Sequence, residues 1–422
     1  MQALAETIRC HWKATLPYLR AFLKSAFIAG SAGLVCGGVG TLFHFSVDLA
    51  TQTRMAHPWL LFLLPAAGVL IAWLYKLGRM ENDRGTNLIF DSVRTEERPP
   101  LRLGILIFIS TVLTHLCGGS SGREGAALQI GGSIGSSMGK LLRLGPKDCR
   151  ILIMCGMSGL FSALFGTPVT AAMFSMEVIS VGILQYSALL PCLFSALVAF
   201  KLSTFLGVEP VAFSVPCPSG LPFDLIWRVA ALALAAAVVS ILFCKTMHVA
   251  GHLYQRFLPN PMLRAAAGGA LVVAATLLLG TTDYNGAGMD VVGRALAGTA
   301  RPEAFVLKLL LTALTLGAGF KGGEIVPAFF IGSTFGCVAG QVLGIDPGFA
   351  AALGLIAVFC GVVNCPVTSL LLSVELFGSC SILIFALTCA ISYLMSGPYS
   401  LYSSQKLTYS KLEPTFVDRH TK

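Results

Sequence analysis

Charge is what this sequence has least of. Only 12% of its 422 residues are Asp, Glu, Lys or Arg, about half the ~25% usual for a soluble domain. Apolar residues make up 55%, more than a globular core absorbs without leaving large exposed patches. The balance excludes a soluble enzyme and leaves lipid as the sink for the excess. No CxxC pair occurs among the thirteen cysteines, so neither a zinc framework nor a disulfide scaffold is expected. Cys155, Cys244, Cys337 and Cys360 lie inside apolar runs and read as small, polarizable packing residues. No basic stretch is interleaved with aromatics, so the net charge of +9 does not imply a nucleic-acid partner. No cleavable signal segment is expected either: the first apolar run starts near residue 22 and is too long for a signal core. No cofactor and no metal are expected.

What is present is a succession of apolar runs of bilayer-spanning length. Residues 22–49 and 58–77 read as two spanning helices, and a polar loop, 78–102, follows. Further apolar segments fall near 103–117, 124–143, 149–166, 167–182 and 186–206. After a Pro-containing stretch they resume at 224–257, 262–279, 303–319, 324–343, 348–364, 365–378 and 380–396. The first residues carry Arg9, Lys13, Arg20 and Lys24, and the loop carries Arg79, Arg84, Arg94, Arg98 and Arg102 among Glu81, Asp83, Asp91, Glu96 and Glu97. Acidic residues count little in the positive-inside rule, so both regions are expected in the cytoplasm. The expected division is a cytoplasmic segment 1–21, a first membrane half 22–208, a connector 209–223, a second membrane half 224–410 and a short polar tail 411–422, with no soluble C-terminal domain.

The second half echoes the first. Gly166-Thr167-Pro168-Val169-Thr170 leads to Glu177, and Asn364-Cys365-Pro366-Val367-Thr368 leads to Glu375; in both the acid lies nine residues beyond the proline. A Gly-rich helix start holding Glu124 precedes the first copy, and one holding Glu324 precedes the second. A duplicated pair of Gly/Pro-interrupted segments points to a substrate site near the bilayer midplane. Broken helices persist at that depth only where backbone is buried in protein or lines a cavity. Glu177 and Glu375 themselves are expected near a helix end or in a packed polar contact.

Four stretches carry the chemistry. In Gly118-Gly119-Ser120-Ser121-Gly122-Arg123-Glu124-Gly125 one apolar segment ends and a helix begins. Free N–H groups and the helix dipole there favour an anion. The Glu124 carboxylate would occupy that place itself and, once protonated, swing away and open it. Gly317-Ala318-Gly319-Phe320-Lys321-Gly322-Gly323-Glu324-Ile325-Val326-Pro327 repeats the design, with Pro327 suited to a first helical turn and the N–H groups of Glu324, Ile325 and Val326 facing the centre. Two neighbouring acids disfavour each other's ionisation, so either holds a proton readily. Gly85-Thr86-Asn87, before Asp91, offers a hydroxyl and an amide at a helix start, which by itself is a common N-cap pattern. Tyr402, after Gly397-Pro398, offers a phenol, or else an interface-belt tyrosine.

In this order the four stretches resemble the CLC family of chloride channels and proton-coupled anion transporters, over roughly residues 20–410. Gly122-Arg123-Glu124-Gly125 matches the gating-glutamate motif, and Gly322-Gly323-Glu324-Ile325-Val326-Pro327 matches the second filter motif. Thr86 and Asn87 sit at the filter serine, and Tyr402 at the filter tyrosine. The resemblance implies an all-α membrane fold of two inverted halves with many short, broken helices. It also implies a homodimer with one ion pathway per subunit, no CBS domains, and a multi-pass place in the cell membrane, the inner membrane if bacterial. The anion site it implies involves Thr86, Asn87, Arg123, Gly125, Ile325, Val326 and Tyr402, with Glu124 and Glu324 gating and carrying protons.

Three departures point within the family. The first filter reads Gly85-Thr86-Asn87-Leu88-Ile89, a usually apolar position of the second is Glu324, and the internal proton-relay glutamate falls at Val178. These features look like the fluoride-exporting, fluoride/proton antiport branch of bacteria. Thr86 keeps a hydroxyl, so chloride stays open as the halide. Two other classes compete. Gly156-Met157-Ser158-Gly159 has the look of an intramembrane serine protease, with His44, His115, His248 and His252 as candidate bases, although Gly/Ser runs also serve close helix packing. A cation carrier would use the acids, but both sit at helix N-termini, where the dipole favours anions.

Overall fold

The computed structural model describes residues 2–422 apart from 82, 96, 217, 219, 221, 380 and 414, with the side chains of 2–14, 17, 20 and 21 left outside the description. Arg9, Lys13, Arg20 and Glu96 therefore lie outside the described side chains. The chain runs α1 Gln2–Ala56, a 3-10 turn Pro58–Leu63, α2 Leu64–Leu77, α3 Thr86–Arg94, α4 Leu101–Leu116, α5 Glu124–Leu141, α6 Pro146–Phe165 and α7 Pro168–Glu177. A short strand, β1 Ser180–Val181, leads to α8 Leu189–Phe205. The second half holds α9 Phe223–Phe257, α10 Pro261–Leu279, α11 Met289–Leu296, α12 Ala304–Gly317, α13 Ile325–Leu343, α14 Pro347–Val363, α15 Pro366–Phe377 and α16 Ile382–Met395, then β2 Lys406–Tyr409 and β3 Phe416–His420.

Among the described residues, seven helical stretches are long and apolar enough to cross a membrane. They divide by position. Phe22–Ala56 is 44% buried and turns Phe27, Leu42 and Leu49 outward, whereas Pro146–Phe165 is 83% buried. The outer helices face lipid, and α5, α6, α13 and α14 make the centre.

That centre is built on glycine. A Cβ added at Gly131 would overlap the Gly156 carbonyl, and one added at Gly156 would overlap the Gly131 carbonyl, so α5 and α6 cross backbone to backbone. The second half repeats this between Gly332 of α13 and Gly354 of α14. Small residues bring helices this close in a membrane, where dispersion and not water expulsion holds them together.

The halves also clasp each other. Glu177, at the end of α7, accepts from Val367 N at 3.1 Å, Thr368 N at 2.8 Å and Thr368 Oγ1 at 2.6 Å, capping the start of α15. Glu375, near the end of α15, accepts from Val169 N at 3.0 Å and Thr170 N at 2.8 Å, capping α7. The two prolines at N1 need no N–H partner, and the distant carboxylates take the donors that follow. Glu177 is buried and has the extra hydroxyl. Glu177→Ala should therefore destabilise by about 3 kcal/mol, given that bonds to a charged acceptor contribute more than neutral ones, and Glu375→Ala by clearly less. Thermal unfolding in detergent reads this, and equal losses would contradict the asymmetry.

Four features differ from the sequence expectation. The segment 1–21 continues the first spanning helix, because α1 has no break before Ala56. The loop 78–102 contains the helix α3, whose start at Thr86 follows a left-handed Gly85. An extra short helix, α11, occupies the interval after α10. The tail, expected as a plain polar extension, supplies one strand, β3, to a three-stranded sheet in which β1 of the first half pairs parallel with β2 and β2 antiparallel with β3. Between α8 and α9, Val211 N donates to Phe165 O at 3.2 Å and Phe213 N to Leu376 O at 2.8 Å.

Candidate functional site

The two Gly-rich helix starts meet. Gly122 N donates to Gly323 O at 2.7 Å, and Gly323 N to Gly122 O at 2.8 Å, a two-residue antiparallel bridge between the halves. There is no room for side chains at this junction. A Cβ at Gly322 would collide with Ser121 Oγ, and one at Gly125 would lie 2.9 Å from Gly323 Cα. From the bridge α5 leaves in one direction, with Arg123 as N-cap, and α13 in the other, with Glu324 as N-cap. The first amides of each helix have no partner within their own helix, so two positive helix ends converge on one place.

Glu124 is 1% exposed. Its Oε2 accepts from Arg123 N at 3.0 Å, and Arg123 Nε stands 3.8 Å from Oε1. The carboxylate thus folds back over the start of its own helix, on the donors an anion would use. Glu324 is partly buried. Its Oε2 is closed off from solvent and has no hydrogen-bond partner among the described residues, and it would lie 3.1 Å from a Cβ on Gly125. Lys321, the nearest cation in sequence, pairs with Asp83 at 2.9 Å instead. A surface glutamate neutralised by its neighbouring lysine is therefore not what Glu324 is.

The other two stretches join the same place. Gln129 Nε2 donates to Thr86 Oγ1 at 3.3 Å and Gly125 O at 3.4 Å, tying the start of α3 to the first turn of α5. Asn87 Oδ1 accepts from Ser404 N at 2.9 Å, so its carbonyl end fixes the loop after Tyr402. Tyr402 is 1% exposed, stacks edge-on against Phe90 of α3 at 4.9 Å, and its hydroxyl has no partner among the described residues. Ile325 and Val326 are buried in the first turn of α13. Through Gln129 the start of α3 is thus tied to the first turn of α5, and through Asn87 and Phe90 the same helix is tied to the loop that carries Tyr402.

Sequence reasoning missed the frame behind the first Gly-rich loop. Ser120 Oγ donates to Tyr284 O at 2.8 Å, Asn285 Nδ2 to Gly118 O at 2.7 Å and Gly286 N to Gly119 O at 3.0 Å. Lys308, wholly buried on α12, donates to Tyr284 O at 3.1 Å and Gly286 O at 2.6 Å. A lone lysine in an apolar helix was the available signal, since intramembrane charges nearly always have work to do.

At the position of the relay glutamate, Val178 is buried and its carbonyl accepts from Gln405 Nε2 at 2.8 Å. The acid beside it, Glu177, is committed to α15. The serine of Gly156-Met157-Ser158-Gly159 is committed too: Ser158 Oγ donates to Cys192 O at 2.8 Å, a packing contact between α6 and α8. His115 Nδ1 meets Thr111 O on its own helix. No histidine bonds to Ser158 among the described residues, which removes the protease geometry.

Comparison with known proteins follows the same line. The family model described as "Voltage gated chloride channel" matches residues 67–397. A "Chloride/fluoride channel protein" of Pseudomonas syringae pv. tomato is 35% identical over 94% of this chain and 88% of its own. The "H(+)/Cl(-) exchange transporter ClcA" of Vibrio vulnificus is 24% identical over 83% of this chain and 81% of its own. Among solved structures, a "CLC-type fluoride/proton antiporter" superposes with a TM-score of 0.87 at 32% identity, covering 91% of this chain and 98% of that one.

Proposed function

This chain belongs to the voltage-gated chloride channel (CLC) family, and we propose that within it the protein is a fluoride/proton antiporter of the cell membrane. It is a membrane protein that transports anions, and it works as a homodimer with one pathway per subunit. The observation that carries the antiport reading is Glu324: a buried, unpartnered carboxyl oxygen at the junction of two helix N-termini, beside the first turn of the helix that Glu124 opens. An anion and two ionised carboxylates cannot share that place. When the anion enters, a proton must sit on one of the acids, and this links the two fluxes.

The relay position is Val178, so Glu324 replaces the missing internal acid and Glu124 carries the proton at the anion site. Protonation frees Glu124 from Arg123 N and opens the amides of Gly125, Ile325 and Val326. Fluoride is small and holds its hydration tightly, so its site needs strong donors at close range. The hydroxyls of Thr86 and Tyr402, the Asn87 amide and a protonated Glu324 supply them. The 32% identical fluoride/proton antiporter of known structure supports the same halide, and the 35% identical chloride/fluoride channel protein is compatible with either. The two hydroxyls, of Thr86 and Tyr402, also suit chloride, which makes chloride/proton exchange the second reading.

Efflux from liposomes holding the purified protein, followed with fluoride and chloride electrodes and a pH probe together, tests this. Fluoride efflux with proton uptake and little chloride movement is expected. Strong chloride efflux would make chloride the substrate. In the same vesicles Glu324→Gln should lower proton uptake by roughly 10²-fold or more, within the ~10²–10⁴ contributed by a positioned proton-transfer group. Unchanged flux and coupling in that variant would remove Glu324 from the mechanism.

A further inference from the structure

A cavity of about 580 Å³ lies beside the start of loop 78–102 and counts Glu324 among its lining residues. Its walls come from α2, the start of loop 78–102, α9, α10, the end of α12 and the loop 318–324, and Thr86, Asn87 and Tyr402 take no part in them. At ~30 Å³ per molecule in the liquid, it has room for on the order of ten or more waters. Loop 78–102 is the arginine-rich one, so the mouth faces the cytoplasm.

The chargeable groups facing it are Tyr75 and Lys76 of α2, Glu81 and Asp83 of the loop, Arg264 of α10, Lys321 and Glu324. The stretch of α9 lining it contributes Met247, Gly251 and Gln255, none of which titrates. Three cations, Lys76, Arg264 and Lys321, thus balance three acids, Glu81, Asp83 and Glu324. Lys321 is further occupied, by Asp83 at 2.9 Å and by the Tyr75 ring at 4.2 Å. A balanced cleft with a part-buried carboxylate in its wall does not concentrate anions, as a basic vestibule would. It does let water and hydronium reach a buried acid.

We propose that this cleft is the cytoplasmic entrance for protons, separate from the anion route past Thr86 and Tyr402. The proposal rests on the antiport reading and supplies the path left vacant by the valine at the relay position. A hydronium in the cleft gives its proton to the Glu324 carboxylate, leaving water and a neutral acid, and that acid passes the proton on toward Glu124. Asp83 joins the two routes mechanically. One of its oxygens holds Lys321, and the other accepts from Gly85 N at 3.0 Å, at the start of α3.

Gly251 gives the test, because a Cβ added there meets nothing within 4 Å. Gly251→Cys is placed in inside-out vesicles, where loop 78–102 faces the reagent, and treated with an impermeant trimethylammonium thiosulfonate. Labelling is confirmed by mass, and the parent protein, treated alike, is the reference. Proton flux coupled to whichever halide the parent carries should fall at least five-fold. Carboxymethylation of the same thiol, which leaves an acid in the cleft, should keep it within about two-fold of the unlabelled variant. Full labelling without loss, no labelling from this side, or equal loss with both adducts would each overturn the proposal. A parent that moves anions but no protons would instead sink the antiport reading, and the two failures are distinguishable because the parent alone reports the second.

Discussion

Glu124→Gln will reduce coupled proton movement to the level of protein-free vesicles, a fall of roughly 10²-fold or more. The carboxylate is 1% exposed and lies over the first amides of α5, with Oε2 on Arg123 N. In the proposed mechanism it occupies the place of the transported anion, so its proton and the anion alternate there. Glutamine has nearly the same shape and can still meet Arg123 N through its carbonyl, but it neither binds nor releases a proton. The variant therefore separates shape from proton exchange. Proton flux above about a tenth of the parent's, measured by pH probe in the same liposomes, would mean that another group carries the proton. Abolished proton flux with surviving halide efflux would show that the neutral side chain clears the anion site without completing the exchange.

Gly156→Val will yield little folded protein. Even a methyl at Gly156 would overlap the Gly131 carbonyl, and one turn further the Gly135 position meets the Leu152 carbonyl in the same way. Ordinary overpacking costs about 1–3 kcal/mol because side chains shift. Here two backbones would have to separate, which takes the cost beyond that range. The damage would reach the site, because Gly131 lies on α5 seven residues from Glu124. Gly38→Ala on α1 is the control, since a Cβ there meets nothing within 4 Å. A monodisperse peak and parental Tm for Gly156→Val in size-exclusion and thermal assays would contradict the crossing.

The parts of the molecule legible beforehand are those written locally. Glu124 and Glu324 each stand in a Gly-rich run with its own helix start, and the Pro-to-Glu spacing repeats in both halves. These gave the halves, the junction and the acids. The α11 helix has only eight residues, Met289–Leu296, and leaves a weak periodic trace. The terminal sheet joins Ser180 to Lys406, a pairing with no local signature. The contacts that decide Glu324's environment are the least local. Lys321 lies three positions from it and suggests a neutralised surface pair, yet the lysine binds Asp83, 238 residues away. Sequence neighbours at a broken helix point in different directions, and only the fold says which of them meet.

The exchange of carboxylates between α7 and α15 has a meaning for selectivity. A helix that begins inside a membrane is a trap for any anion small enough to reach it, and this fold contains several. Two of them are permanently filled, Glu177 on α15 and Glu375 on α7, by acids held through backbone bonds of 2.8–3.1 Å. The protein is in this sense already liganded, by itself, at the places where a stray ion would stall. The α5 end differs, because its acid is its own first residue and, in the proposed mechanism, moves aside when protonated.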